Sequence, residues 1–392
     1  MKIRMFVLAL CAMLLVAACG SDDGNAADDA SSSASSPASA SEVAAAETED
    51  PDDGDGGSDD ADAEEPVEET PVAVDGDTTV RLLTHDSFSV SDGLFDAFTL
   101  ETGITVEVIS GGDAGELVAR SILNIDQPEG DVLFGIDNTF LQRGLDADLF
   151  IPHQSPGLAS VPDELELDPE FRVTPIDVGD VCVNYWIDQV AEVPTSLDDL
   201  TDPALASSLV TMDPETSSPG FAFLLATIAK YGEDGWEDYW QQLADGGITV
   251  TSGWSDAYFG EFIAGGGDKA LVTSYASSPV AEVLFAEEPL DSSPTGVLAD
   301  SCFRQIEFAG VLAGTEVPDA AGQLIDFMLS DTFQEDIPLN MFVFPANADT
   351  VVPESFAAHA VVVDSPQSLS PEEIEANRSD WTARWAEIVL GR

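Results

Sequence analysis

The chain has 392 residues, 75 of them Asp or Glu against 12 Lys or Arg, for a formal net charge of −63. That imbalance repels nucleic acid, disfavours anionic substrates and draws cations, and it also keeps an exported protein soluble. Four cysteines, three histidines and the lack of any HExxH, CxxC, P-loop or GxSxG pattern leave zinc, dithiol, nucleotide and serine-nucleophile chemistry without support.

The first 18 residues pair a basic start (Lys2, Arg4) with an apolar run from Met5 to Ala18. That run is short for a membrane span and has the flanks of a secretory leader. It closes as Leu15-Val16-Ala17-Ala18-Cys19-Gly20. Small residues before a cysteine in this position resemble the bacterial lipobox, which implies cleavage before Cys19 and lipid attachment there. Residues 19–78 follow, rich in Ala, Ser, Asp, Glu, Gly and Pro, with 20 acids and no Lys or Arg from Ser21 to Val80. Such a segment cannot bury enough apolar surface to offset chain entropy, and it reads as a disordered acidic tether.

Roughly 310 residues remain, more than one core usually serves, so two lobes are expected. Their opening third alternates strand and helix. Thr79–Thr84 ends at His85-Asp86-Ser87-Phe88, and a helix to Thr102 is closed by Gly103. Ile104–Ile109 ends at Gly111-Gly112-Asp113, and a helix over Gly115–Asn124 leads into a strand ending at Asp137-Asn138. This βαβαβ pattern is that of an α/β fold with a parallel sheet. Each strand end is a candidate ligand-edge loop. A further helix is predicted over Phe140–Phe150 and long strands over Val173–Ile187 and 299–309. These carry Cys182 and Cys302, an even pair in an exported chain, which is the pattern of a disulfide between strands crossing from lobe to lobe.

The second half repeats one device. Ser217-Ser218-Pro219-Gly220 precedes an apolar helix, with Ser218 read as its N-cap. Ser277-Ser278-Pro279 precedes another. Both are helix starts in any case, and their free N–H groups also suit an anion or polar tail. Between them, Ile248–Thr251 meets Gly253, Trp254 and Tyr258, and Ala270–Thr273 delivers Ser274-Tyr275. Two such strands place Trp254, Tyr258 and Tyr275 at one sheet edge, although Trp254 and Tyr258, four apart, also fit a packed pair on one helix face. A helix over Pro318–Leu329, a strand over Asn340–Pro345 and a final helix over Glu372–Leu390, with Trp381 and Trp385 at core spacing, complete the chain.

Several of these pieces, in order, resemble the periplasmic thiamine-binding proteins, the solute receptors of thiamine ABC importers. They are Thr84–Phe88, Leu133–Asn138, Asp213–Gly220, Gly253–Tyr258, Ser274–Pro279 and the late tryptophans, so the resemblance spans about 79–390. It implies a two-lobed, type II periplasmic-binding-protein-like α/β fold with a hinge of crossing strands. The lobes would divide as 79–178, 179–307 and 308–392, the last returning to the first. It also implies a non-enzymatic receptor with no metal or cofactor, monomeric, lipid-anchored on the outer face of the membrane and partnered by permease subunits.

The implied ligand is a flat aminopyrimidine joined to a cationic thiazolium. Trp254, Tyr258 and Tyr275 would stack on it. Asp86, Asp113 or Asp137 would balance its charge. Ser217, Ser218, Gly220 and Ser277 would meet its hydroxyl or phosphate end, with His85, Ser87 and Gly112 beside it. Two positions depart from the resemblance, His85 in place of tyrosine and Phe342 in place of tryptophan. Alternatives are a ferric-ion receptor of the same fold, a secreted hydrolase using Asp86, Ser87 and His85, and an envelope adhesion lipoprotein.

Overall fold

The computed structural model describes residues 78–392. The expected leader (1–18), the lipidation site Cys19 and the tether up to residue 77 lie outside the described residues. The described strands are β1 (Thr79–Thr84), β2 (Thr105–Ser110), β3 (Val132–Asp137), β4 (Phe150–Ile151), β5 (Thr174–Trp186), β6 (Leu209–Met212), β7 (Thr249–Thr251), β8 (Leu271–Tyr275), β9 (Thr295–Leu312) and β10 (Phe344–Pro345). The α-helices interleaved with them are α1 (Leu94–Thr102), α2 (Ala114–Leu123), α3 (Leu141–Asp146), α4 (Pro203–Ser207), α5 (Ser218–Tyr231), α6 (Trp236–Gly246), α7 (Trp254–Asp256), α8 (Pro279–Leu284), α9 (Pro318–Met328), α10 (Asp331–Gln334), α11 (Ile337–Asn340), α12 (Glu354–Ala357) and α13 (Pro371–Val389).

The strands run in the order β2-β1-β3-β9-β5-β8-β6-β7, with β4 added on β9 and β10 on β5. The group β2-β1-β3 is parallel, as the βαβαβ pattern requires. Its inner strand β3 is buried at every residue, which is why it reads as an apolar run rather than an alternation. At the other end β8, β6 and β7 are also mutually parallel. Between the two groups, β9 is antiparallel to both β3 and β5, and β5 is antiparallel to β8. One antiparallel ladder, from Thr174 opposite Ala309 to Trp186 opposite Thr295, therefore joins the groups.

That ladder shifts register twice, the second time between Val181 and Val183, where β9 jumps from Phe303 to Leu298. Cys182 and Cys302 sit at this bulge and form a disulfide across 120 residues of chain. Ser301 Oγ accepts from Val183 N at 2.8 Å and donates to Leu298 O at 2.7 Å, standing in for the ladder bonds that the bulge removes.

The last helix, α13, packs on α3, which follows β3, and on α6, which precedes β7. Its Trp385 is fully buried and meets Trp240 of α6 edge-on, at 5.4 Å and 77°. Two turns before it, the Arg378 guanidinium lies 4.1 Å from the Phe140 ring and 4.2 Å from Phe221, donating to Thr139 O. Burial lowers its pKa to about 10, which leaves it charged, and the two rings and the carbonyl compensate the lost hydration.

Two segments differ from the sequence expectation. The helix expected over Phe140–Phe150 stops at Asp146, because Asp148 turns into the left-handed region (φ 52°) and Phe150 pairs with Leu312 on β9. The strand expected over Asn340–Pro345 is confined to Phe344–Pro345. Pro338 starts the short helix α11, and Phe342 leaves it at a left-handed φ of 58°.

Replacing Cys302 by Ser is expected to lower the unfolding free energy by roughly 2–4 kcal/mol. Urea titration reads this as a lower midpoint. An unchanged midpoint would mean that the ladder holds the bulge without the bridge.

Candidate functional site

A cavity of about 810 Å³ opens between the two strand groups. Much of its wall comes from segments at strand ends, as open α/β sheets predict, joined by Glu307 from within β9. The first group supplies His85 and Ser87 just after β1; the central ladder supplies Glu307 and Trp186; the second group supplies Trp254, Tyr258, Tyr275 and Glu282; the return supplies Phe342.

Two glycines make room for the rings. A Cβ on Gly135 in β3, whose φ is +108°, would lie 2.4 Å from His85 Cδ2. A Cβ on Gly179 in β5 would lie 2.8 Å from Tyr275 Cδ1. Both strands are therefore notched where an aromatic of the cavity lies across them.

The aromatic cluster forms as the sequence spacing predicts. Trp254 stacks on Tyr258, with centroids 4.9 Å apart and planes at 25°, and meets Tyr275 edge-on at 6.4 Å. The packed pair and the cavity wall are thus the same feature. Trp254 Nε1 donates to Ser274 Oγ at 3.0 Å, which hydrogen-bonds Ser278 Oγ at 2.8 Å, so the indole plane is fixed. Tyr258 OH donates to Glu282 Oε1 at 2.5 Å. Burial first, then nearby carboxylates, push the Tyr258 and Tyr275 hydroxyls upward, so both rings stay neutral.

The remaining expected site residues fall behind this wall. Asp86 is exposed, and its N–H donates to Gly112 O at 2.9 Å. Gly112 holds a left-handed turn (φ +86°) into α2. Asp137 does not face the cavity. It is fully buried, its Oδ1 accepting from Thr139 N, Thr139 Oγ and Phe140 N, and its Oδ2 accepting from Gln305 Nε2 at 2.5 Å and from Ser218 Oγ.

The N-cap of α5 is Ser217 rather than Ser218. Ser217 has the extended backbone (φ −116°, ψ 129°) that a cap needs, and its Oγ accepts from Gly220 N. Ser218 is the first helical residue, its hydroxyl committed to Asp137. Gly220 is a packing glycine, since a Cβ there would lie 2.6 Å from Met212 O. Ser277 Oγ donates to Phe342 O at 2.5 Å and so holds the left-handed backbone that aims Phe342 at the cavity.

Asp113 ties three helix starts together. It caps α2 through Ala114 N at 2.7 Å, and accepts from Trp254 N at 2.9 Å and Ser218 N at 3.2 Å. Burial pushes its pKa up to about 6, opposed by hydrogen bonds from Trp254, Ser217 and Ser218. The helix-start N–H groups expected to meet an anion are therefore met in part by this carboxylate from the opposite strand group.

Glu307 escapes the sequence reading. It is 8% exposed and 3.4 Å from His85 Nε2, on the cavity wall. Its one signal is an acid inside the otherwise apolar run Ile306–Leu312. Trp186 and Phe285 also line the cavity without having stood out. Among the described residues no three His, Cys, Asp or Glu side chains group to hold a metal ion, and no helix is long and apolar enough to cross a membrane.

Comparison with known proteins bears on this geometry. The family profile of bacterial extracellular solute-binding proteins matches residues 129–362. The thiamine-binding periplasmic protein of Salmonella typhimurium is 29% identical over 318 residues, covering 79% of this chain and 93% of that protein. Its Escherichia coli counterpart is 29% identical over 315 residues, with the same coverage. A solved periplasmic thiamin binding protein superposes with a TM-score of 0.70 at 26% identity, covering 79% of this chain and 96% of that one. The fold is the two-lobed α/β arrangement of type II periplasmic binding proteins.

Replacing Asp113 by Ala strips the acceptor from three backbone N–H groups and is expected to cost about 2–3 kcal/mol. Asp113→Asn, which keeps an acceptor oxygen, should cost less. Equal losses in urea unfolding would contradict the tie described here.

Proposed function

The chain belongs to the bacterial extracellular solute-binding protein family, and from that premise we propose that it captures thiamine outside the cytoplasm and hands it to an ABC importer. The observation that carries this reading is the neutral aromatic wall of Trp254, Tyr258 and Tyr275 facing His85 and the buried acid Glu307 across one cavity. A flat, cationic, two-ring ligand satisfies both sides, through stacking and cation–π attraction on one and charge on the other. The two relatives and the solved neighbour that carry the thiamine name support the same choice.

Within this reading the lobes divide as 79–178 with 308–392, and 179–307. Both switches fall inside the long strands β5 and β9, where a hinge has continuous backbone to bend. The function is binding and delivery rather than catalysis, and it needs no cofactor. Permease subunits are the partners, the receptor acts as a monomer, and lipid on Cys19 with the acidic segment behind it keeps the body near the membrane. A ferric ion would call for ionised tyrosines, whereas burial drives Tyr258 and Tyr275 away from ionisation, so these residues present ring faces rather than oxyanions.

Titration with thiamine should quench tryptophan fluorescence and saturate at micromolar ligand or below. Trp254→Ala should weaken binding by about 1–2 kcal/mol, roughly tenfold. A folded sample that neither quenches nor gives heat at micromolar thiamine would remove the reading.

A further inference from the structure

Three adjacent strands carry acids opposite one another, and the middle one, Glu307, lines the cavity. Asp137 of β3 stands opposite Glu307 of β9, and Glu307 stands opposite Asp177 of β5. All three are buried. Asp137 has its own set of donors, as described above. Asp177 is different, for its Oδ2 is buried with no hydrogen-bond partner. Two buried carboxylates that face one another without a donor between them are accommodated only by a proton. Burial first and Glu307 next push Asp177 well above the ordinary carboxylate range, as that arrangement requires.

With that proton on Asp177, Glu307 is the acid of the pair that lines the cavity. No Lys or Arg among the described residues pairs with it; the nearest arginine on that strand, Arg304, pairs with Asp180. The partner is His85, 9% exposed at its side chain, whose Nε2 lies 3.4 Å from Glu307 Oε1 without hydrogen-bond geometry. Its Nδ1 is 2.9 Å from Ser87 Oγ, which can accept the N–H there.

The groups that face His85 are Glu307 from β9, Asp113 from the start of α2 and Asp86 beside it in sequence. All are acids, and the neighbouring Tyr275 stays neutral. Burial alone would lower the imidazole pKa, but those three carboxylates outweigh it and the net shift is upward.

We propose that His85 holds a proton as the counter-ion of Glu307 in the empty cleft, and that a cationic ligand takes its place, one cation entering as one proton leaves. Nδ1–H stays on Ser87, the Nε2 proton passes to solvent, and Glu307 pairs with the ligand cation. No covalent bond of the ligand changes, and the charge of the site is the same before and after. Asp177 keeps its proton throughout, so it adds no second negative charge beside Glu307. A neutral ligand of the same shape would leave the His85–Glu307 pair standing and gain nothing from the exchange. His85 and Glu307 are therefore the residues that select charge, while the aromatic wall selects shape.

This inference rests on the thiamine reading for its probe. Protons and cation compete, so affinity for thiamine falls as pH drops through the His85 range, by at most about tenfold per pH unit for one exchanged proton. Calorimetry of the full chain with thiamine between about pH 5.5 and 8, in paired buffers of low and high ionisation enthalpy that both titrate at the working pH, counts the protons released.

The expected results are a release approaching one proton below the His85 pKa, and near zero in His85→Gln, whose affinity then no longer follows pH. Glu307→Gln should lower the preference for thiamine over its neutral aminopyrimidine fragment by roughly tenfold, about 1.4 kcal/mol, with circular dichroism confirming the fold. Thiamine binding with no proton release and an unchanged preference in Glu307→Gln would overturn the exchange and leave the thiamine reading intact. A folded protein that binds no thiamine would instead overturn both.

Discussion

One ladder holds this protein together as a receptor. β5 and β9 are the strands through which the two parallel groups are joined, and everything that faces the cavity is placed relative to them. A long antiparallel pair can twist without losing its hydrogen bonds, which suits a connection between two lobes. The bulge at Val181–Val183 would weaken that pair, yet it carries both a covalent bridge and the Ser301 hydroxyl as a surrogate ladder partner. The disruption is thus confined to one point on the strands.

The same ladder explains why three acids gather at and behind the cavity wall. Asp137, Glu307 and Asp177 come from separate parts of the chain and are brought opposite one another by register alone. Burying three carboxylates this close is costly unless each is satisfied or neutralised. Asp137 is hydrogen-bonded on both oxygens, whereas burial and Glu307 push Asp177 towards its protonated form and Glu307 lies beside His85. The difference separates a structural acid from ones that respond to what enters the cavity. The aromatic side follows the opposite logic. Trp254 and Tyr258 are held by polar handles on Ser274 and Glu282, and the Tyr275 ring lies over the Gly179 notch, leaving neutral faces towards the ligand space.

Asp113 and Ser277 show how residues read as ligand contacts act through others. Asp113 caps its own helix and reaches across to the N–H groups of Trp254 and Ser218, so the two strand groups meet on its carboxylate. Ser277 fixes the left-handed backbone of Phe342. Both positions are hydroxyl or carboxylate at a strand end, the signature of a ligand loop, and in the structure both hold aromatic or helical neighbours in place. Local chemistry alone does not separate these roles, because the same oxygen can accept from a ligand or from a backbone N–H.

The chain's local pattern determined a good deal. The alternation of strand and helix from Thr79 to Asn138 dictates a parallel sheet, because short loops and covering helices admit no other pairing there. The Gly253–Tyr258 and Ser274–Tyr275 turns dictate a cluster of rings, because strands that end alike in one sheet end at one edge. The even pair Cys182 and Cys302 marks a bridge. What only the tertiary structure decided is which acid faces the cavity. Asp86, Asp113 and Asp137 lie in polar turns and look available, whereas Glu307 lies inside an apolar strand run and does not. Facing is set by register across β3, β9 and β5, and register is a relation between segments some 130 to 170 residues apart, which no local pattern contains.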